Sequence, residues 1–366
     1  MSDWDHFSQL REVLEAGREA ELHRGAQFYL SQNGETLLDE AWGEQDAEQN
    51  LSNDHLMLWL SSGKPLTAVA LGVLHDRGLL QWDDCLSRFL PEWAMFGQPE
   101  VTLRHLLTHT AGFENGELPW PEENWEDIIS ETIHSPLPDK WAVGEEARYV
   151  VAASWFLLGE VVARLTNRDF SSALRELVLD PLELPDTFCG LPEREYDSVK
   201  DRLGKMYERS KTGLTELEWN DPRRVTSASP GGNTRGPVRE LGRFYESMLP
   251  ESETCLLKPQ TRQAMTTPQR VGLADQTFGH QLDWGLGFIV NSNRYGAETV
   301  PYGFGASASD ASFGHGGSQS SMGFADPAHR LVVAWVVNGR PGEPRHHSRN
   351  KTINEAVYRD LGIAAE

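Results

Sequence analysis

Apolar positions recur along this chain at two spacings, and each predicts a different element. Between residues 4 and 23, Phe7, Leu10, Val13, Leu14 and Leu22 follow a helical period and predict an amphipathic helix. Next, Ala26–Ser31 and Thr36–Trp42 flank Gln32-Asn33-Gly34-Glu35. Asn-Gly between two such runs predicts a β-hairpin, because both turn positions need positive φ. Leu66, Val69, Ala70, Val73 and Leu74 then mark a helix face aimed at a core, ending near Arg77-Gly78.

Residues 81–280 read as mainly helix and loop. Val101–His109 is a short helix, Ala152–Leu165 a longer one, and a third lies near Pro237–Leu249 after the turn Ser229-Pro230-Gly231-Gly232-Asn233. Pro119-Trp120-Pro121 and Pro181–Pro185 read as connectors. Strand signals return at Leu286–Val290, Ser320–Phe324 and Leu331–Val337, and a last helix is expected near Thr352–Leu361. The order predicts an α+β module with a discontinuous layout. Residues 1–80 and 281–366 would form an α/β lobe with an antiparallel sheet flanked by terminal helices, and 81–280 a mainly helical lobe. A cleft between them is the natural place for a ligand.

Composition narrows the function classes. The 366 residues suffice for a sizeable core. A formal net charge of −22 argues against nucleic acid and anionic membrane surfaces as partners. No run of about 18 apolar residues predicts a membrane span. The polar N-terminus has no signal-peptide core, so the cytoplasm is the expected compartment, or the periplasm if a leader has been removed. Cys85, Cys189 and Cys255 are odd in number and far apart, which predicts neither a disulfide framework nor a zinc site.

Candidate chemistry centres on Ser61-Ser62-Gly63-Lys64. Ser61 falls at the entrance of the predicted helix and Lys64 one turn later on the same side. A Lys short of water loses proton affinity and can accept the proton of a serine hydroxyl. The helix N-terminus adds unpaired N–H groups where an oxyanion would form. Alone, S-x-x-K is a weak signal, since two fixed positions in four recur by chance. Three further segments add to it: Val101–Phe113 with Leu106-Leu107-Thr108-His109-Thr110-Ala111-Gly112, Arg148–Glu160 opening on Tyr149, and Phe313–Ser318 with His315-Gly316-Gly317.

In order and spacing these segments resemble the serine β-lactamase and penicillin-binding-protein superfamily, and most closely its class C-like branch of esterases, D-aminopeptidases and DD-peptidases. The resemblance runs from about Gly25 to about Arg340. It implies Ser61 as nucleophile, Lys64 as its partner and Tyr149 as proton shuttle, with an adjacent Lys64 cation making that phenol a usable base. It implies that His315-Gly316-Gly317 stands for the K-T-G box on a strand edge. His315 would stabilise negative charge or tune Tyr149, and Gly317 would allow close backbone approach. The N–H groups of Ser61 and Ser318 would form the oxyanion hole. The activity implied is acyl-enzyme hydrolysis of an ester, small amide or β-lactam, with no cofactor. An acyl-binding sensor on the same fold is the non-enzymatic alternative.

Two departures point away from β-lactams and favour ester or small-amide substrates. Val151 stands where many relatives carry Asn, and His315 where many carry Lys. Lys211-Thr212-Gly213 is a literal K-T-G, but it follows Tyr149 by 62 residues against 166 for His315, and its polar context reads as a surface loop. His105 and His109 are four apart but have no glutamate between them in H-E-x-x-H fashion, so metal binding is not expected, and His346-His347 reads as a solvated loop. Most of the 12 tryptophans read as core, and some, among them Trp59, Trp120, Trp141, Trp155 and Trp284, would line part of an aromatic acyl pocket. The loops Glu114–Asp139 and Asn291–Ser312 would shape it.

Overall fold

A helix and a hairpin open the fold, as their patterns require. In this computed structural model, which describes residues 3–364 apart from 97–99, 136 and 139, helix α1 (Ser8–Glu19) precedes strands β1 (Gly25–Gln32) and β2 (Glu35–Gly43). Asn33 and Gly34 hold φ of +55° and +82° at the hairpin turn, the geometry that matches strand twist. α1 stops short of Leu22, where Glu21 takes a left-handed φ of +54°.

The main elements that follow are α2 (Lys64–Asp76), α3 (Ala153–Thr166), α4 (Val238–Met248), β3 (Asp283–Trp284), β4 (Ile289–Val290), β5 (Phe313–Gly317), β6 (Ser321–Asp326), β7 (Leu331–Val337) and α5 (Glu343–Asp360). Seven strands form one antiparallel sheet in the order β3-β4-β5-β6-β7-β1-β2. Chain ends therefore meet in space: β1 pairs with β7, Ala26 opposite Val337.

Helices cover both sheet faces, which is why β7 reads as an unbroken apolar run and is buried throughout. On one face Phe28, Leu30, Val333 and Trp335 pack with Leu10 and Leu14 of α1 and Ile353 and Val357 of α5. On the other, Tyr29, Ala334 and Val336 share a core with Leu241 and Tyr245 of α4 and with α2. Trp335 also donates its indole N–H to Asn354 (3.0 Å), locking α5 to the sheet. Truncating such a fully buried indole costs roughly 3–5 kcal/mol.

Several elements differ from expectation, each for a local reason. α2 is buried all round from Lys64 to Leu74 rather than on one face, consistent with a stretch in which Lys64 is the only charged residue. β4 is shorter than Leu286–Val290 because Gly287 takes φ of +83°. The 81–280 region contains strands as well as helices. Met206–Ser210 and Gly213–Leu217 form a hairpin, and Thr234–Gly236 pairs with Met57–Leu58 and Phe188–Cys189. Strands of two to five residues carry too little alternation to register in sequence. The last helix begins at Glu343, nine residues before Thr352, and so contains His346-His347. Its first turns bury polar groups instead of apolar ones: His346, Arg349 and Asn350 are all at most 3% exposed. Among the described residues, no helix is long and apolar enough to cross a membrane.

Candidate active site

Ser61 sits in the 3-10 turn Leu60–Gly63 that feeds α2. The turn is entered through Leu60 at φ +50°, a left-handed conformation costing an L-residue roughly 1–2 kcal/mol. Its neighbours hold it there. Trp59 donates its backbone N–H to the Thr234 carbonyl and its indole N–H to the Gly236 carbonyl, both at 2.9 Å. Ser62 Oγ donates to the His315 carbonyl (3.0 Å), and Ser321 Oγ to the Trp59 carbonyl (2.5 Å). A Cβ on Gly317 would lie 2.2 Å from that same Trp59 oxygen, so glycine is what lets β5 pass this close. Ser61 is thereby fixed beside the strand carrying His315, and it opens onto a cleft of about 700 Å³.

Lys64 is fully buried under Ser61. Its Nζ lies 3.1 Å from Ser61 Oγ, 2.7 Å from the Val151 carbonyl oxygen, and against the Gly231 carbonyl. Burial pushes its proton affinity well below the usual 10.5. A neutral amine has two N–H groups and one lone pair. In that form, with both N–H groups taken by the two carbonyls, the lone pair would face the serine hydroxyl.

Tyr149 is pinned through its backbone. Its N–H donates to Asp275 Oδ1 (3.0 Å), and its carbonyl accepts from Asn115 Nδ2 (2.7 Å) and Thr277 Oγ1 (2.8 Å). Asp275 is held in turn by a buried ion pair with Arg270 at 3.1 Å. The Tyr149 hydroxyl is within hydrogen-bonding reach of Ser61. Its proton affinity is raised above the usual 10, chiefly by burial, and further by the carboxylates of Asp275 and Glu343. The expected lowering by a Lys64 cation is therefore not found: burial outweighs every charge near the phenol. The resting group is a phenol.

His315 is buried on β5, and its Nδ1–H donates to the Gly316 carbonyl (2.8 Å). Burial, then the proximity of Lys64, lowers its pKa to about 3. It is a neutral imidazole in neutral solution and supplies no positive charge, which corrects the expectation that it could offset an anion. Ser318 lines the cleft beside Gly316.

The structure brings Ser61, Lys64, Tyr149, His315, Gly317 and Ser318 together, and it reassigns several other residues. No tryptophan lines the cleft among the described residues. Its aromatic wall is Tyr149, Phe278 and Tyr302. Trp155 and Trp284 stand behind the site, with Trp155 5.3 Å from Lys64 Nζ and Trp284 edge-on to His315. The Asn291–Ser312 loop contributes Thr299, Pro301 and Tyr302, but the described residues of the Glu114–Asp139 loop contribute none of the lining, positions 136 and 139 lying outside the described residues. Their part is played by Thr277–His280. Lys211 sits at the exposed tip of the short hairpin, away from the cleft. His105 caps its own helix with Thr102, and His346 is buried rather than solvated.

Sequence reasoning missed Gly231, Asn115, Asp275, Thr277 and Glu343. Only Gly231 carried a signal, in the Pro-Gly-Gly turn. A Cβ there would lie 2.8 Å from the Val151 oxygen and 3.0 Å from Lys64 Nζ.

With this geometry in place, comparison with known proteins is direct. The Beta-lactamase family model matches residues 10–358. The chain belongs to the Beta-lactamase family. Esterase EstB of Burkholderia gladioli is 31% identical over 191 residues, 47% of this chain and 48% of that protein. Penicillin-binding protein 4* of Bacillus subtilis (strain 168) is 24% identical over 278 residues, 72% of this chain and 59% of that protein. The chain thus spans about half to three-fifths of the length of these curated relatives. A solved family VIII carboxylesterase superposes with a TM-score of 0.78 at 25% identity, covering 97% of this chain and 98% of that one. The family is one of serine hydrolases, with esterases, penicillin-binding proteins and β-lactamases among the relatives of this chain.

Proposed function

We propose that this protein hydrolyses small esters through an acyl-enzyme on Ser61. The observation that carries the proposal is the buried Lys64 amine, 3.1 Å from Ser61 Oγ with its other two positions filled by carbonyls. Lys64 takes the serine proton as Oγ attacks the ester carbonyl. The N–H groups of Ser61 and Ser318, which no backbone carbonyl accepts among the described residues, hold the oxyanion. The Tyr149 phenol gives its proton to the departing alkoxide, and the Lys64 ammonium restores it. Water then attacks the acyl-enzyme by the reverse proton route and frees Ser61.

Esters are favoured over β-lactams and D-peptides by the cleft's charge. A β-lactam or a peptide terminus presents a carboxylate, and His315 offers it a neutral ring. Val151 likewise offers no side-chain amide to a substrate amide. The test is turnover of p-nitrophenyl butyrate and nitrocefin by wild type and Ser61→Ala, with intact mass for acylation. Sustained ester hydrolysis lost in Ser61→Ala supports the reading. Dominant nitrocefin turnover would make the protein a β-lactamase, and a stable adduct without release would make it a sensor.

A further inference from the structure

The cleft beside Tyr149 has a composition that the hydrolytic machinery does not explain. Phe278 packs on the Tyr149 ring at 4.9 Å between centroids, and Tyr302 packs on Phe278 at 5.9 Å. All three line the cavity, and so does the exposed carboxylate of Glu343. Tyr302 Oη donates to Glu343 at 3.1–3.2 Å and accepts the Gln319 N–H (3.2 Å), so the ring and the carboxylate hold each other in place. Among the described residues, no lysine or arginine lines the cavity. Arg340 reaches Ser318 Oγ at 3.4 Å, but its guanidinium is spent on Glu208 (3.2 Å) and on the face of Trp219 (5.0 Å). His280 and His347 line the wall with ring nitrogens turned to the carbonyls of Gln281 (2.8 Å) and Glu298 (3.0 Å).

Aromatic rings grouped around one carboxylate, with no lining lysine or arginine, form an environment that attracts organic cations. Ring faces draw ammonium groups through the quadrupole, most strongly where water is partly excluded. A chain of net charge −22 adds a field of the same sign. We infer that Phe278, Tyr302 and Glu343 form a subsite for an ammonium group, and that the preferred substrates are esters of amino alcohols. This rests on the esterase reading. It also places the cation: Tyr149 serves the leaving oxygen and Phe278 stacks on Tyr149, so the ammonium belongs to the alcohol half.

The test compares butyrylcholine with its uncharged isostere 3,3-dimethylbutyl butyrate, by acid release at pH 8, above the ordinary imidazole range. Wild type is expected to favour the cationic ester about tenfold in kcat/KM. Glu343→Gln, which keeps a carbonyl for the Tyr302 hydroxyl, is expected to bring that ratio most of the way to one, and Phe278→Leu to reduce it in part. A wild-type ratio at or below one, or one unmoved by Glu343→Gln, overturns the subsite. Calorimetric binding of the same two esters to Ser61→Ala needs no turnover. Tighter binding of butyrylcholine there keeps the subsite even if neither ester is hydrolysed and the esterase reading falls. Equal binding, or none, removes it.

Discussion

The N–H of Val150 donates to His109 Nδ1 across 3.0 Å, so the residue after Tyr149 is positioned by a side chain from a different segment. The bond requires a neutral ring protonated at Nε2, and burial keeps His109 well below the usual 6.5. His109 itself sits at φ +58°, a left-handed conformation that Asn tolerates better than Ala. His109→Ala loses both the acceptor and the backbone preference. It should lower stability by about 2–3 kcal/mol and reduce kcat with KM less affected. His109→Asn offers an amide oxygen for the Val150 N–H and should recover much of both. Thermal melting beside steady-state kinetics of the pair would check this. Equal loss in the two variants would reduce His109 to a packing residue.

Gly231 has a corresponding role for Lys64. A methyl group at 231 would press on the Val151 oxygen, on Lys64 Nζ and, at 3.0 Å, on Trp155 Cβ. The amine would be displaced from Ser61, and misplacement of a reacting group by about 1 Å costs on the order of a hundredfold in rate. Gly231→Ala should therefore lower kcat/KM about a hundredfold while the protein still melts cooperatively. Unchanged kinetics would show that the Lys64 geometry tolerates the shift.

Much of this site was legible in the sequence because its parts are local patterns. Ser61 and Lys64 are one turn apart on a helix with an apolar register, and His315-Gly316-Gly317 lies just before two strand segments, the second an unbroken apolar run. The hairpin was legible because Asn33-Gly34 has few other uses. What stayed hidden depends on contacts between distant segments. Nothing around Asp275 says that its carboxylate accepts the Tyr149 N–H, 126 positions away. The start of α5 was hidden because His346, Arg349 and Asn350 are buried by hydrogen bonding rather than hydrophobicity. The charge at His315 depends on burial, which a residue's type does not fix.

In the proposed mechanism Lys64 acts as a neutral amine, and that sets the pH dependence. Below its lowered pKa the amine is protonated and cannot take the Ser61 proton, so kcat/KM should rise with pH and level off well below 10.5. Tyr149 must keep its proton, and its affinity is raised above the usual 10, so the alkaline fall should lie beyond pH 10. Lys64→Arg carries a fixed charge at every working pH and should abolish turnover across the range. An acid limb that persists in an active Lys64→Arg variant would assign the base elsewhere.

Acid stability follows from buried imidazoles: His23 and His315 have pKa values lowered to about 3, chiefly by burial, and burial holds His109 and His346 well below 6.5 in the same direction. His23 Nε2–H donates to the Leu14 carbonyl (3.1 Å), and its Nδ1 accepts from Arg349 (3.3 Å), so the folded ring has no place for a second proton. Above pH 6.5 neither state binds the proton, and stability is independent of these groups. Between 6.5 and about 3 the unfolded chain binds it and the native state does not, so stability falls as pH falls. At pH 5 each histidine should cost about 2 kcal/mol relative to pH 7. Denaturant unfolding at pH 7, 6 and 5 should show that loss, and His23→Gln, whose amide can serve both partners, should reduce it by about 2 kcal/mol at pH 5, the share of one histidine. His23 is remote from the cleft, so ester turnover at pH 7 should be unaffected in that variant. A stability curve flat from pH 7 to 5 would mean that these rings take up protons in the folded state.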